Sequence, residues 1–215
     1  GNASSLVYER NDAKDRAMAK LEVGTRAPAF TLVNQNGAKV SLKDFAGQRV
    51  VLYFYPADDT PGCTKEACQF NDNLKAFHSS DVTVLGVSPN SAESHQKFRK
   101  KYGLMFDLLV DPDKKVMEKY GAYGEKMMYG KKVVGVIRST FVIGPTGKIE
   151  QAWYGVKADG HAARVLASLG AAGQPVGQTW ITLVRAGRRD FFLGPHGPKK
   201  TGESPPALLL PNDGY

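Results

Sequence analysis

The chain has 215 residues, 42% of them hydrophobic, and a formal net charge of +8, which suits one ordinary domain with extensions, or two small ones, and supplies enough apolar material for a proper core. Two cysteines are too few for a secreted disulfide scaffold and too few for a zinc site without added ligands. The surplus Lys and Arg are interleaved with Asp and Glu along the chain, the pattern of a generally basic enzyme rather than of a nucleic-acid or membrane binder.

In chain order, residues 1–20 are polar and mixed in charge and read as a flexible arm or a loose helix. Ala29 to Val33 and Lys39 to Leu42 flank Asn34-Gln35-Asn36-Gly37, the alternation and turn residues of a β-hairpin. Arg49 to Tyr55 is short, apolar and rich in β-branched and aromatic residues, which predicts a strand buried on both faces. Pro56 ends it. A helix is expected from Pro61 to about His78, with Ala67, Phe70, Leu74 and Phe77 at helical spacing. A second buried strand at Val82–Ser88, a polar helix over 91–102, a short strand at Asp107–Val110 and a short helix over 114–120 follow. Val133 to Ile143 reads as one strand, turned by Gly144-Pro145-Thr146-Gly147 into Lys148–Tyr154. Asp159 to Leu169 is a last helix that Gly170 can stop. Strands alternating with helices predict an α/β layer structure with largely parallel strands. From Ala171 onward the chain is loaded with Gly and Pro and reads as an extension of unknown role, with one potential edge strand at Trp180–Val184 and a basic cluster at Arg185, Arg188 and Arg189.

The chemistry concentrates in Tyr55-Pro56-Ala57-Asp58-Asp59-Thr60-Pro61-Gly62-Cys63-Thr64-Lys65-Glu66-Ala67-Cys68, which holds both cysteines. Thr60 stands at an N-cap position with its hydroxyl as acceptor, and Pro61 at the first helical position, where a missing N–H costs nothing. Cys63 then lies in the first turn, where unpaired N–H groups and the aligned peptide dipoles favour an ionised sulfur. On one intact helix, Cys63 and Cys68 would have Cα atoms roughly 8.7 Å apart. A disulfide needs about 7 Å or less. The pair is therefore no static staple, and joining it requires the first turns to unwind.

Arg138 interrupts the apolar run Val136-Ile137-Arg138-Ser139-Thr140-Phe141, and a buried guanidinium needs a partner. Glu66, one turn from Cys63, is a carboxylate able to orient it, though a solvated helix carboxylate fits the sequence nearly as well. The four histidines, His78, His95, His161 and His196, lack metal-ligand spacing and read as surface residues. Asp58 and Asp59 read as solvated loop anions.

Pro56-x-x-x-Thr60-x-x-Cys63 matches the active-site signature of the peroxiredoxins, and Thr60-Pro61-Gly62-Cys63-Thr64-x-Glu66-x-Cys68 resembles the Q-type, or bacterioferritin-comigratory, branch. The resemblance covers about Leu21 to Leu169. It implies a thioredoxin-like fold with an extra N-terminal hairpin over residues 21–170. It also implies a peroxidase acting on hydrogen peroxide and organic hydroperoxides, in which Cys63 attacks the peroxide, Cys68 resolves the product as an intramolecular disulfide, and thioredoxin reduces that disulfide. Thr60 would hydrogen-bond a peroxide oxygen, Pro56 would shield the thiolate, and Arg138 would sit over the sulfur. No cofactor is implied, because sulfur itself carries the redox change, and Q-type relatives are often monomers.

Two other readings compete. A general thiol-disulfide oxidoreductase is disfavoured, since that chemistry usually separates its cysteines by two residues. A non-catalytic redox-sensing or chaperone-like binding protein would work through its tail. A reducing compartment is expected, cytoplasm or an organelle matrix or stroma. No stretch approaches the roughly 20 apolar residues of a membrane helix, and the N-terminus shows no apolar core of a secretory signal.

Overall fold

The computed structural model describes residues 20–172. The expected arm and Gly/Pro-rich extension, with the Trp180–Val184 strand, the arginine cluster and His196, lie outside the described residues apart from Lys20, Ala171 and Ala172.

The elements in order are β1 (Thr31–Asn34), β2 (Lys39–Ser41), β3 (Arg49–Phe54), α1 (Pro61–Asp72), α2 (Leu74–Ser79), β4 (Val82–Ser88), α3 (Ala92–Tyr102), β5 (Asp107–Val110), α4 (Lys115–Lys119), β6 (Tyr123–Met128), β7 (Lys131–Val136), β8 (Ser139–Ile143), β9 (Ile149–Tyr154) and α5 (His161–Ala172). Among the described residues a seven-stranded sheet runs β2-β1-β5-β4-β3-β8-β9. This is the α/β, thioredoxin-like arrangement expected, with the β1–β2 hairpin added at one edge through β1 and β5. Parallel pairing is confined to β3–β4 and β4–β5. The expectation of largely parallel strands is thus corrected: β8 and β9 return as an antiparallel hairpin on the other side of β3.

Strand β3 is central because its side chains serve two cores. Val51, Tyr53 and Tyr55 pack with Cys63, Ala67 and Phe70 on one face, whereas Val50, Leu52 and Phe54 pack with Leu85, Val87 and Phe141 on the other. The period of two inherent in a strand delivers this division. Tyr53 stacks on Phe70 of α1, with ring centroids 4.7 Å apart, and lies against Gly86 of β4, where any Cβ would stand 2.8 Å from the Tyr53 hydroxyl. Gly86 therefore makes room for the ring on which α1 rests.

Three boundaries differ from the sequence expectation. The helix begun at Pro61 breaks at Asn73, whose side-chain amide donates to the Gln69 carbonyl at 2.8 Å. Helix α5 continues through Gly170 to Ala172. The run Val133–Ile143 is two strands: β7 pairs with the unforeseen β6 in a separate two-stranded sheet, and β8 pairs with β3 and β9. Ile137 and Arg138 carry the chain from one sheet to the other. Alternation of side chains reports strand conformation but not the partner, so that change of partner is invisible in sequence.

Candidate active site

The loop after β3 and the first turn of α1 form as the residue types dictate. Thr60 adopts an extended N-cap conformation and its carbonyl accepts the first helical bond, from Thr64 N–H at 2.8 Å. Pro61 opens the helix as expected. The Thr60 hydroxyl, however, makes no cap; it donates back to the Ala57 carbonyl at 3.1 Å. That bond closes the loop on itself and takes the place of the expected side-chain cap. Pro56 stands between the end of β3 and this turn.

Cys63 is 1% exposed on the inner side of the first turn. Arg138 reaches it from the segment between β7 and β8: Nη2 donates to Cys63 Sγ at 3.2 Å, and Nη1 donates to Glu66 Oε2. Glu66 is fully buried, so the solvated alternative for this carboxylate does not hold. Its second oxygen, Oε1, is buried without a hydrogen-bond partner. Burial pushes the Glu66 carboxyl up to about 7, against the pull of the Arg138 guanidinium. The Arg138 cation, although burial works against it, is held by the opposing charges of Glu66 and Cys63 and shifts upward. A fork-shaped guanidinium suits this double task, since two of its N–H groups address two acceptors in fixed geometry.

Cys68 lies on the same helix, half-buried, and is free, as is Cys63. Burial pushes its thiol up, and the nearby Asp72 carboxylate adds to the effect. The structure thus brings Cys63, Glu66 and Arg138 into direct contact, places Thr60 and Pro56 in the adjoining loop, and keeps Cys68 one helical stretch away. Among the described residues, no group of three His, Cys, Asp or Glu side chains is placed to hold a metal ion.

Three polar residues taken for solvated ones are buried. His161 is 1% exposed, its Nε2 lies 2.8 Å from Thr140 Oγ1, and burial, aided by Arg164 and Arg138, lowers its pKa to about 4. His95 and the side chain of Asp58 are 0% and 4% exposed and meet each other. Their partners lie far away in sequence. The one local signal was the spacing of His95 from Phe98, which places both on the face that α3 buries.

The AhpC/TSA family pattern matches residues 23–152. A Mycobacterium tuberculosis protein described as a peroxiredoxin is 55% identical over 146 residues, covering 68% of this chain and 93% of its own. The chain belongs to the AhpC/TSA family, as a peroxiredoxin of the Q type. Peroxiredoxin Bcp of Escherichia coli is 43% identical over 149 residues, which cover 69% of this chain and 96% of that protein. Among solved structures, the bacterioferritin comigratory protein of Xanthomonas campestris, studied for alkyl peroxide reduction, superposes with a TM-score of 0.67 at 40% identity, covering 71% of this chain and all of that one. Membership makes the chain a thiol-dependent peroxidase, and the peroxiredoxin signature falls on the buried sulfur beneath Arg138.

Proposed function

We propose that Cys63 is the peroxide-reacting thiolate and Cys68 the resolving thiol of a cycle that thioredoxin, or a similar dithiol, closes. The contact of Arg138 Nη2 with Cys63 Sγ at 3.2 Å carries this reading. A cation there favours the thiolate over the thiol and is placed to stabilise negative charge on the oxygen that leaves as the O–O bond breaks. The thiolate attacks the terminal oxygen of hydrogen peroxide or an organic hydroperoxide, an S–O bond forms, and water or alcohol departs after protonation. The resulting sulfenic acid condenses with the Cys68 thiol, releasing water and leaving a disulfide. Two electrons from the external dithiol then restore both thiols by exchange. Because both cysteines lie within α1, the condensation requires the helix to open between them.

Mass spectrometry after one equivalent of hydrogen peroxide, with remaining thiols alkylated, tests the cycle. The expected result is loss of two hydrogens within the single peptide that carries Cys63 and Cys68. A lasting oxygen adduct on Cys63 with Cys68 free would replace the intramolecular step by an external resolving thiol. Two unreacted thiols would overturn the assignment of both residues.

A further inference from the structure

The loop that leads from β3 into Cys63 is strapped to α3 by two consecutive aspartates. Asp59, with a left-handed backbone at φ 55°, lies at the surface and accepts from Lys101 Nζ at 2.7 Å and from the Tyr102 hydroxyl. Asp58 points inward instead. Its Oδ1 accepts from the Tyr55 hydroxyl at 2.7 Å, and its Oδ2 accepts from Ser94 Oγ at 2.6 Å and faces His95 Nδ1 at 2.8 Å. The loop backbone joins in, with Asp58 N–H donating to Asn90 Oδ1 at 2.9 Å.

Both ring nitrogens of His95 face oxygen atoms. Nε2 faces the Leu109 carbonyl of β5 at 3.1 Å, and a carbonyl oxygen only accepts, so Nε2 carries a hydrogen. Nδ1 faces a carboxylate oxygen, also an acceptor. A neutral imidazole has one N–H and would set a lone pair against a lone pair at one of these contacts. Burial opposes charge on Asp58, yet hydrogen bonds from His95, Ser94 and Tyr55 outweigh it and hold the carboxyl below its ordinary value. With Asp58 ionised, both contacts of the ring are satisfied only when each nitrogen carries a hydrogen.

We propose that the His95–Asp58 ion pair is a clasp that positions Cys63, holding residues 56–60 against α3 and setting the upstream limit of the helix opening that lets Cys68 reach the sulfur. The proposal rests on the reading of Cys63 and Cys68 given above. The downstream limit is built just as visibly: Gln69 Nε2 donates to Asp159 at 2.9 Å, Gln69 Oε1 accepts from Gly160 N–H at 2.9 Å, and Phe70 is stacked on Tyr53. Between Asp58 and Gln69 lies the segment that must rearrange. Asp58, Ser94 and His95 hydrogen-bond with neither the sulfur nor Arg138, so they act through the loop as positioning residues.

Imidazole nitrogen NMR of the intact chain, combined with rapid-mixing measurement of the second-order reaction of Cys63 with hydrogen peroxide, tests the clasp. Wild-type His95 is expected to show protons on both nitrogens, and Asp58→Asn to convert it to the neutral Nε2–H form, because an amide can donate to Nδ1. His95→Ala and Asp58→Ala should each slow the reaction by about tenfold to hundredfold, the scale that misplacing a reacting atom brings. The double variant should be no slower than the slower single one. Asp58→Asn, which keeps the shape of the clasp, should recover most of the rate. Folded alanine variants reacting at the wild-type rate, losses that multiply in the double variant, an Asp58→Asn enzyme no faster than Asp58→Ala, or a neutral His95 in the wild type would each overturn the proposal. Should either alanine variant fail to fold, Asp58→Asn still decides it by spectrum and rate. A wild type inert to peroxide would instead overturn the assignment of Cys63, while the imidazole spectrum still decides the ion pair.

Discussion

Cys63 and Cys68 sit five positions apart on one helix, yet their surroundings differ in kind. Cys63 is sealed from solvent and touched by a guanidinium that a buried carboxylate holds in place. Cys68 is half-buried, with Asp72 as the charged neighbour that shifts it and its thiol pushed upward. One sulfur lies against a cation before any oxidant arrives; at the other, burial and a nearby carboxylate both work against ionisation. The same helix supports both because Cys63 and Glu66 lie on the face it buries, where Arg138 meets them, whereas Cys68 lies outside that buried set and is only half-buried. Helical position alone does not set a cysteine's surroundings, and the cation brought from a distant strand connection is what separates the two.

Substitutions can break that contrast in order of severity. Cys63→Ser removes the attacking sulfur and is expected to abolish peroxide turnover in an assay coupled to thioredoxin. Arg138→Ala should leave the protein able to bind no developing charge at the sulfur, with a fall of about 10²–10³-fold in the rate of the first peroxide reaction; Arg138→Lys should lie between, since an ammonium cannot serve Glu66 and Cys63 as a fork. Cys68→Ser sharpens the comparison from the other side: a single turnover should proceed at the wild-type rate, while steady-state recycling by thioredoxin falls by at least about tenfold, a gap of roughly 1.4 kcal/mol in the effective barrier.

The smallest effect concerns Glu66 and appears in stability. Its carboxyl has an ordinary value of 4.5 and stands at about 7 in the folded protein. Below the first value both folded and unfolded chains are protonated; between the two the folded chain holds the proton more tightly. Stability should therefore fall as pH rises from 4.5 to about 7, and level off above. Glu66→Gln should flatten this part of the profile in denaturant titrations; an unchanged slope would place the pH dependence elsewhere.

The sequence showed the parts of this site that are local. An apolar strand, a proline that ends it, and a Thr-Pro helix start are all encoded within a dozen residues, and Cys63 follows from them. Arg138 stood out because a cation in an apolar run asks for a partner, although it proves to lie in the connection between strands rather than inside one. What was not legible depends on distant pairing. The split of Val133–Ile143 arises from two different sheets claiming its halves, and strand β6 was hidden by glycine and lysine in its alternation. The fate of Glu66 was open because a helix carboxylate becomes buried only when something across the fold neutralises it. Asp58 and His95 failed for the same reason, since short polar residues in a loop and on a polar helix look solvated until they find each other.

Arg138 does not travel with the helix it serves. Its neighbour Ile137 donates to the Ala122 carbonyl at 2.7 Å and its own carbonyl accepts from Val156 N–H at 3.1 Å, so the guanidinium is anchored in the sheet region while the sulfur rides on α1. When the first turn opens in the proposed cycle, the sulfur leaves the cation behind. Whatever Arg138 contributes is then granted to the reduced thiolate and withheld from the disulfide. Such one-sided stabilisation raises the reduction potential, by about 30 mV for each tenfold preference in a two-electron couple. In the proposed cycle the residue that hastens oxidation by peroxide thus also makes the oxidised protein a better electron acceptor, and the return to the dithiol state is favoured by the geometry of the outward step.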